Sequence, residues 1–283
     1  MMNTISNGQL TVGVKTKGAE LSSIRNAAGA EFLWQGNPEY WAGQAPVLFP
    51  IVGRLRNDEY ELNGKTYSLL QHGFARKSVF TLVEKTDTSL TFELRDSAET
   101  RAVYPFSFSL QIIYRLSANR LAIEYLVKNT GGETLPFSIG AHPAFNLPAA
   151  PGECRIEFEK PETLLTHVLN NGLFHGETVP VLNNETTLTI TKNTFDRDAL
   201  VFHNTASSSV KLYAKNKTAV TFEYPEFTQL GIWAKPGAPY VCIEPWFGYA
   251  DSSEPYGSFT NKPGLINLAA GNTFSCEHCI TIN

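Results

Sequence analysis

Glu244 is the one charged residue in an otherwise apolar segment, Tyr240–Phe247 (YVCIEPWF). Apolar surroundings remove water from a carboxylate and raise its pKa above the ordinary value of about 4.3, towards the range of a general base at neutral pH. From this segment alone, a buried glutamate paired with an arginine for structural reasons is an equally good interpretation.

His142 lies beside a proline and between small residues in Ser138–Asn146 (SIGAHPAFN), after a predicted strand. The ordinary pKa of histidine, about 6.5, suits proton transfer at neutral pH, and a cramped loop would hold the ring in one orientation. Taken alone, a core histidine that bonds to backbone carbonyls is the better interpretation. His142 is therefore a candidate acid or base only in combination with other residues.

A third segment, Gln71–Lys77 (QHGFARK), joins His72 to a basic pair that includes Arg76. The upstream run FPIVGRLRN adds Arg54 and Arg56. Guanidinium groups near a histidine can hold hydroxyls, carboxylates or phosphates through forked hydrogen bonds. For either segment alone, an exposed turn with solvated charges is the simpler interpretation.

The C-terminal run Cys276–Cys279 (CEHC) has the spacing of half a zinc site, but no second half with matching spacing occurs in the sequence. The alternation of Phe274, Cys276, His278 and Ile280 instead predicts a terminal strand with packed or exposed thiols. The sequence also contains no phosphate-binding Gly-Lys-Ser/Thr loop, dinucleotide-binding glycine cluster or Gly-x-Ser-x-Gly elbow. We therefore predict neither a metal site nor a nucleotide cofactor.

β-Strands must position these residues. The sequence predicts them from apolar and polar residues that alternate with a period of two, which is the pattern of half-buried strands. No long window carries the 3.6-residue apolar stripe of an amphipathic helix. The predicted strands are Leu90–Leu94, Leu121–Lys128, Cys154–Glu159, Leu188–Lys192, Val210–Lys215 and Val220–Tyr224.

Clusters of Gly, Pro and Asn between these strands predict tight turns, because these residues adopt the φ values that reversals need. Many short strands with turns between them indicate antiparallel sheets in a sandwich or barrel, so the predicted fold class is all-β. No repeat or linker divides the chain, which predicts one domain over residues 1–283. The predicted turns are Asn129–Glu133, Asn183–Glu185, Pro236–Pro239 and Ala269–Asn272.

The overall composition excludes several classes of function. The 283 residues carry a formal net charge of −4, and no block of Lys and Arg forms the basic patch of a nucleic-acid binder. No apolar stretch is long enough for a transmembrane helix, and the first residues lack the pattern of a signal peptide. We therefore expect a cytoplasmic protein with reduced thiols that binds neither nucleic acid nor membrane.

Four runs, FPIVGRLRN, QHGFARK, GAHPAFN and CIEPWFG, follow one another in the order that resembles the aldose 1-epimerase (galactose mutarotase) family. The tail Gly248–Leu265 looks like the loop that follows the catalytic glutamate in bacterial members. The motifs are most similar to the shorter bacterial branch near the glucose-6-phosphate 1-epimerases. The resemblance implies a large antiparallel β-sandwich, called a supersandwich, with the sugar in an open cleft on one sheet.

The resemblance also implies roles for the matched residues. Glu244 matches the general base, His142 the general acid that acts on the ring oxygen, and His72 a second histidine that binds and polarises the sugar. Arg54 matches a sugar-contacting arginine. Trp246 is a candidate to stack on the sugar ring, although an aromatic residue at a strand end is more often part of the core.

The family also holds sugar hydroxyls with an aspartate that precedes a strand in the second half of the chain. Here Phe195–Phe202 (FDRDALVF) offers both Asp196 and Asp198. We prefer Asp198 because it directly precedes the apolar run, and the choice between the two stays open.

The implied function is mutarotation, in which acid and base open the sugar ring, the C1–C2 bond rotates and the ring closes again, without metal or cofactor. The basic residues around His72, among them Arg76, favour an alternative in which the substrate is a sugar phosphate and the protein is a hexose-6-phosphate 1-epimerase. A non-catalytic carbohydrate-binding module is a third hypothesis, since a fold does not fix a function. The identity of the sugar and the oligomeric state stay open.

Overall fold

The computed structural model describes residues 1–147, 149–150, 152–215 and 217–283. Short helices occur at Arg56–Asp58, Ala75–Lys77 and Phe259–Asn261, which are 3-10 turns, and at Ala98–Val103, which is α-helical (α1). The strands in chain order are β1 (Met2–Ser6), β2 (Leu10–Lys15), β3 (Leu21–Asn26), β4 (Val47–Leu48), β5 (Glu59–Leu62), β6 (Lys65–Ser68), β7 (Thr81–Lys85), β8 (Ser89–Arg95), β9 (Phe108–Ser117), β10 (Arg120–Asn129), β11 (Leu135–Phe137), β12 (Ile139–Ala141), β13 (Ala144–Asn146), β14 (Cys154–Asn170), β15 (Leu173–Ile190), β16 (Leu200–His203), β17 (Ser209–Ala214), β18 (Lys217–Glu223), β19 (Gln229–Trp233), β20 (Tyr240–Phe247), β21 (Ile266–Leu268) and β22 (Thr273–Ile282).

Two large antiparallel sheets dominate the molecule. The first has nine strands in the order β15-β14-β17-β18-β22-β10-β9-β8-β7. The second has the order β16-β19-β20-β12-β4, and β13 also pairs with β20. Smaller sheets are formed by β1-β2-β3, β5-β6 and β11-β21. The all-β prediction is confirmed.

The two large sheets bury their facing side chains against each other, and aromatic rings fill much of the space between them. Phe222 of β18 contacts Phe145 of β13 with ring centroids 6.0 Å apart, and Phe274 of β22 contacts Phe247 of β20 at 5.2 Å. Edge-to-face contacts of this kind stabilise a core beyond the area that they bury. The opposite face of the β20 sheet is free to carry the candidate site.

Alternating burial explains why the sequence predicted most strands of the nine-stranded sheet. Along β10, Leu121, Ile123, Tyr125 and Val127 are buried, while the residues between them are partly exposed. The other predicted strands coincide with β8, β14, β17, β18 and the end of β15, which stops at Ile190. The turn predictions at 129–133, 236–239 and 269–272 are confirmed, since each segment separates two strands.

The predicted turn at Asn183–Glu185 is wrong, because β15 runs straight through it. Opposite it on β14, Glu162 pairs with Glu185 but Thr163 pairs with Asn183, so Asn184 is an extra residue in the ladder. Asn184 has a φ of 56° and donates its backbone N–H to the hydroxyl of Thr163 at 3.1 Å. A β-bulge and a tight turn both favour asparagine in the left-handed region, so the sequence signal is the same for both.

The predicted terminal strand is confirmed as β22. Cys276 and Cys279 are both buried, and an odd separation on an extended strand directs their side chains to opposite faces of the sheet. Their thiols therefore cannot bind one ion together.

Within the described ranges, no helix is long and apolar enough to cross a membrane. The single-domain assignment over residues 1–283 stays a prediction.

Candidate active site

A cavity of about 240 Å³ opens on the outer face of the β20 sheet. Of the seven residues preferred for the sugar site in the sequence analysis, all but Arg54 line it, together with aromatic side chains that the sequence did not suggest. The predicted residues in its wall are His72, Arg76, His142, Asp198, Glu244 and Trp246.

Glu244 lies in the middle of β20, which is flanked on both sides by other strands. The residue is 1% exposed, and its backbone is directly opposite Gly231 of β19. Burial raises the pKa of Glu244 well above 4.5, the charge of Asp198 raises it further, and the indole of Trp246 acts in the opposite direction. The strand thus holds a carboxyl group that is readily protonated at the wall of the cavity.

His142 follows β12 and faces the carboxyl group of Glu244. Its Nε2 atom lies 3.3 Å from Oε2 of Glu244, and its side chain is also almost completely buried. The ring stacks on Trp41 with centroids 4.9 Å apart and meets the edge of Trp233 at 5.7 Å. Two tryptophans therefore fix the plane of the imidazole.

The protonation of this pair follows from its burial. Loss of solvent lowers the pKa of His142 well below 6.5, and the positive charge of Arg76 acts in the same direction. The same loss of solvent raises the pKa of Glu244. Burial therefore favours the uncharged form of each group, the neutral imidazole of His142 and the protonated carboxyl group of Glu244.

His72 is held in the left-handed region, with a φ of 64°, by a reciprocal contact with Gly53. The backbone N–H of His72 donates to the carbonyl of Gly53 at 2.9 Å, and the backbone N–H of Gly53 donates to Nδ1 of His72 at 3.1 Å. Burial lowers the pKa of His72 well below 6.5, and His142 and Arg76 add to the effect. The ring is therefore neutral, and because Nδ1 accepts a hydrogen bond, its proton is on Nε2.

Trp246 forms the floor of the cavity. Its indole lies flat across β12 and β19, because both neighbouring strands have a glycine beneath it. A Cβ atom at Gly140 would lie 2.5 Å from Cδ1 of the indole, and one at Gly231 would lie 2.6 Å from Cη2. The side chain is 6% exposed and offers one face to the cavity.

Two charged residues complete the cavity wall. Arg76 donates from Nη2 to the carbonyl of Gln71 at 2.8 Å, while its buried Nε–H has no partner among the described residues. Asp198 is exposed and lines the cavity, whereas Asp196 accepts a hydrogen bond from Asn193 and does not line it. Of the two aspartates, the structure thus brings Asp198 to the other predicted residues.

Arg54 is the one predicted site residue that does not line this cavity. Its guanidinium is paired with Asp58, with Nε–Oδ1 and Nη2–Oδ2 distances of 2.9 Å and 2.8 Å. It also donates from Nη1 to the carbonyl of Asn171 at 3.3 Å and packs against Gly172, at the tip of the β14–β15 hairpin. Arg54 therefore holds the hairpin tip whose Gly172 reaches the cavity wall.

Sequence reasoning missed the aromatic residues Trp41, Trp233 and Phe174 in the cavity wall. The sequence gives only a weak signal for Trp41. It is a large aromatic residue between Pro38 and Pro46, in a segment without the alternation that predicts a strand. In the structure its ring packs against His142, Trp233 and Tyr240, which are contacts between distant parts of the chain that local sequence does not predict.

Comparison with known proteins identifies the family of the chain. The family model described as aldose 1-epimerase matches residues 1–278. The plasmid form of Protein LacX from Lactococcus lactis subsp. lactis is 35% identical, with 98% of each chain covered.

Two solved structures resemble the chain over its whole length. A galactose mutarotase related enzyme from Lactobacillus acidophilus has a TM-score of 0.95 and 35% identity, with 100% of this chain and 97% of that chain covered. A galactose mutarotase-like protein from Lactobacillus casei has a TM-score of 0.94 and 29% identity, with 100% of both chains covered. In sequence and in fold, the chain belongs to the aldose 1-epimerase family.

Proposed function

We propose that the protein is a mutarotase that interconverts the α and β anomers of an unphosphorylated hexose by acid–base ring opening. The observation that carries the proposal is the pair formed by His142 and Glu244, whose Nε2 and Oε2 atoms lie 3.3 Å apart in the wall of the cavity. Membership of the aldose 1-epimerase family supports the same class of reaction.

In the proposed reaction, Glu244 removes the proton of the anomeric hydroxyl while His142 protonates the ring oxygen. The C1–O5 bond then breaks and the open aldehyde forms. Rotation about C1–C2 presents the other face of the carbonyl, and reclosure with both proton transfers reversed gives the other anomer. Each correctly placed acid or base contributes a factor of about 10² to 10⁴ in rate.

The protons of the pair balance over this cycle. The closed sugar reacts with carboxylate and imidazolium, and ring opening leaves protonated Glu244 and neutral His142. Because burial favours the uncharged form of both groups, it favours the state of the pair that accompanies the open sugar. Reclosure returns one proton to the sugar and one to the imidazole.

The other residues of the wall bind and orient the sugar. Nε2–H of His72 is a donor for a sugar oxygen, and the carboxylate of Asp198 is an acceptor for hydroxyl groups. The exposed face of Trp246 suits the apolar C–H surface of a pyranose ring.

Glu244→Gln removes the base and keeps the shape of the side chain, and His142→Asn removes the acid. Each substitution is expected to lower kcat for mutarotation by a factor of about 10² to 10⁴. Polarimetry of freshly dissolved α-glucose and α-galactose measures this rate against the uncatalysed one, and denaturation curves verify that the variants fold. Unchanged rates in folded variants would refute the mechanism.

The structure gives less support to a hexose-6-phosphate 1-epimerase, because recognition of a phosphate would need at least two converging cationic groups. Among the described residues of the cavity wall, Arg76 is the one with a cationic side chain. Arg54 is paired with Asp58, and Arg56 lines a separate cavity. Glucose 6-phosphate is therefore expected to anomerise with a lower kcat/KM than glucose.

A non-catalytic sugar-binding module would not need an acid and a base side by side. Exchange NMR on a panel of sugars and sugar phosphates separates this alternative from catalysis. Tight binding of a sugar without faster exchange between its anomers would favour the binding module.

A further inference from the structure

Three side chains of different chemistry converge at the wall of the cavity, two of them in its lining and one buried behind it. A ring nitrogen of His142, Sγ of Cys242 and a carboxylate oxygen of Glu244 all lie within 4.8 Å of one another. Cys242 and Glu244 are two residues apart on β20 and share one face of the strand. His142 enters from the junction of β12 and β13, both of which pair with β20. Adjacent strands thus fix all three positions.

Imidazole nitrogen, thiolate and carboxylate are the ligands that Zn²⁺ takes in proteins, and three of them leave the fourth tetrahedral position open. With metal–ligand bonds of about 2.0 Å, two ligand atoms on a tetrahedral ion lie about 3.3 Å apart. The His142–Glu244 distance of 3.3 Å already matches this spacing. The full spread of 4.8 Å requires a side-chain adjustment of about 1 Å to bring the third ligand to its bond length.

The charges also favour a divalent ion at this position. Cys242 is completely buried, and Glu244 is 1% exposed. A thiolate and a carboxylate together offset the two positive charges of the ion, so the occupied site carries no uncompensated buried charge. Oxygen-preferring ions such as Mg²⁺ lack affinity for the thiolate and imidazole of this set.

We propose that His142, Cys242 and Glu244 form a binding site for a thiophilic divalent cation of the Zn²⁺ class, and that the bound ion inhibits the enzyme. The ion takes the lone pairs with which His142 and Glu244 exchange protons, so the inhibition rests on the proposed function, whereas the binding of the metal does not. Cys242 has no part in ring opening and serves only as a ligand.

The binding test uses the metal alone. Metal-free protein titrated with Co²⁺ is expected to develop a thiolate-to-cobalt charge-transfer band and the intense visible bands of tetrahedral cobalt, and Zn²⁺ but not Mg²⁺ should abolish them. Cys242→Ala should remove the charge-transfer band, while Cys279→Ala, which alters another buried thiol, should retain it. Absence of the band in the wild type, or its persistence in Cys242→Ala, would overturn the site.

The inhibition test measures mutarotation of glucose with increasing Zn²⁺. Cys242→Ala is expected to keep the activity of the metal-free wild type and to need at least about tenfold more Zn²⁺ for half inhibition, since one of three ligands is lost. A chelator should restore activity. Equal sensitivity of wild type and Cys242→Ala would contradict the three-ligand site. Cobalt binding in a protein without mutarotase activity would refute the proposed function and leave the metal site standing.

Discussion

In the proposed mechanism His142 carries a positive charge during part of each turnover, although burial disfavours that charge. The ring that faces it is Trp41, at a centroid distance of 4.9 Å and an interplanar angle of 26°. The π face of tryptophan attracts a cation by about 0.5 to 2 kcal/mol. If His142 is the acid, Trp41 is a positioning residue that offsets part of the desolvation of the imidazolium.

Trp41→Leu is expected to lower kcat by about two- to thirtyfold, because the lost attraction between the indole and the imidazolium raises the activation barrier by about 0.5 to 2 kcal/mol. Trp41→Phe keeps an aromatic face and should retain most of the activity. The measurement is the pH dependence of kcat and KM for glucose, in which the limb that reports the acid should move to lower pH in Trp41→Leu. If both variants lose the same activity with an unchanged pH profile, the ring contributes packing alone.

At the scale of the strands, the site depends on two residues without side chains. Gly140 of β12 and Gly231 of β19 leave room for the indole of Trp246 to lie across the sheet beside Glu244. Neither glycine has a positive φ, so their role is steric and not conformational.

Gly231→Ala should displace the indole, because the new methyl group would lie 2.6 Å from its Cη2 atom. Overpacking of this kind lowers the free energy of unfolding by about 1 to 3 kcal/mol. Because the displaced indole would no longer lie flat under the sugar, KM for the sugar should rise. Gly132→Ala is the matched control, since a Cβ atom there meets nothing within 4 Å. Urea denaturation and mutarotation kinetics of both variants test the prediction; equal behaviour of the two would contradict it.

The strands that the sequence predicted are those with one buried and one exposed face, such as β10, because burial on one side imposes alternation. The bulge at Asn184 was mistaken for a turn because both use the left-handed conformation of asparagine. In contrast, the segment that forms β20 was predicted to carry a site because Glu244 is charged within an apolar run, and not because its apolar and polar residues alternate.

The site residues were predictable as far as each one departs from its local pattern. Glu244 and His142 do so. The stacking of Trp41 on His142 comes from tertiary packing, so the spacing of residues in the sequence does not predict it. Arg54 shows the opposite case: an aspartate four residues further along, Asp58, is the local partner that draws its guanidinium away from the cavity. Family resemblance could not supply that contact.

At the scale of the whole molecule, several histidines are buried in the folded protein and solvated in the unfolded chain. His278 of β22 is the clearest case, since it is 1% exposed and packs between Tyr125 and Phe222. Neither of its ring nitrogens has a hydrogen-bond partner among the described residues. Burial lowers the pKa of His278 from 6.5 to about 3.

The unfolded chain therefore binds a proton below pH 6.5 that the folded chain does not bind until about pH 3. Between these values the free energy of unfolding falls as the pH falls, by at most about 1.4 kcal/mol per unit for this residue. From pH 7.5 to pH 5.0 the loss due to His278 is about 2 kcal/mol. His72 and His142 act in the same direction.

Urea denaturation at a series of pH values measures this dependence. His278→Leu is expected to flatten the profile by about 2 kcal/mol over that range, whereas His175→Gln, at an exposed histidine, should leave it as in the wild type. A profile that does not change in His278→Leu would show that the native state accommodates the protonated ring.

The bulge at Asn184 also bears on how the molecule meets its neighbours in solution. β15 is an edge of the nine-stranded sheet, and a long regular edge is a template on which a second chain can add a strand. The extra residue, Asn184, makes the spacing of the backbone N–H and C=O groups along β15 irregular. Pro180 on the same strand has no backbone N–H to donate. The bulge that was predicted as a turn thus makes this edge an irregular template for the addition of a strand from a second chain.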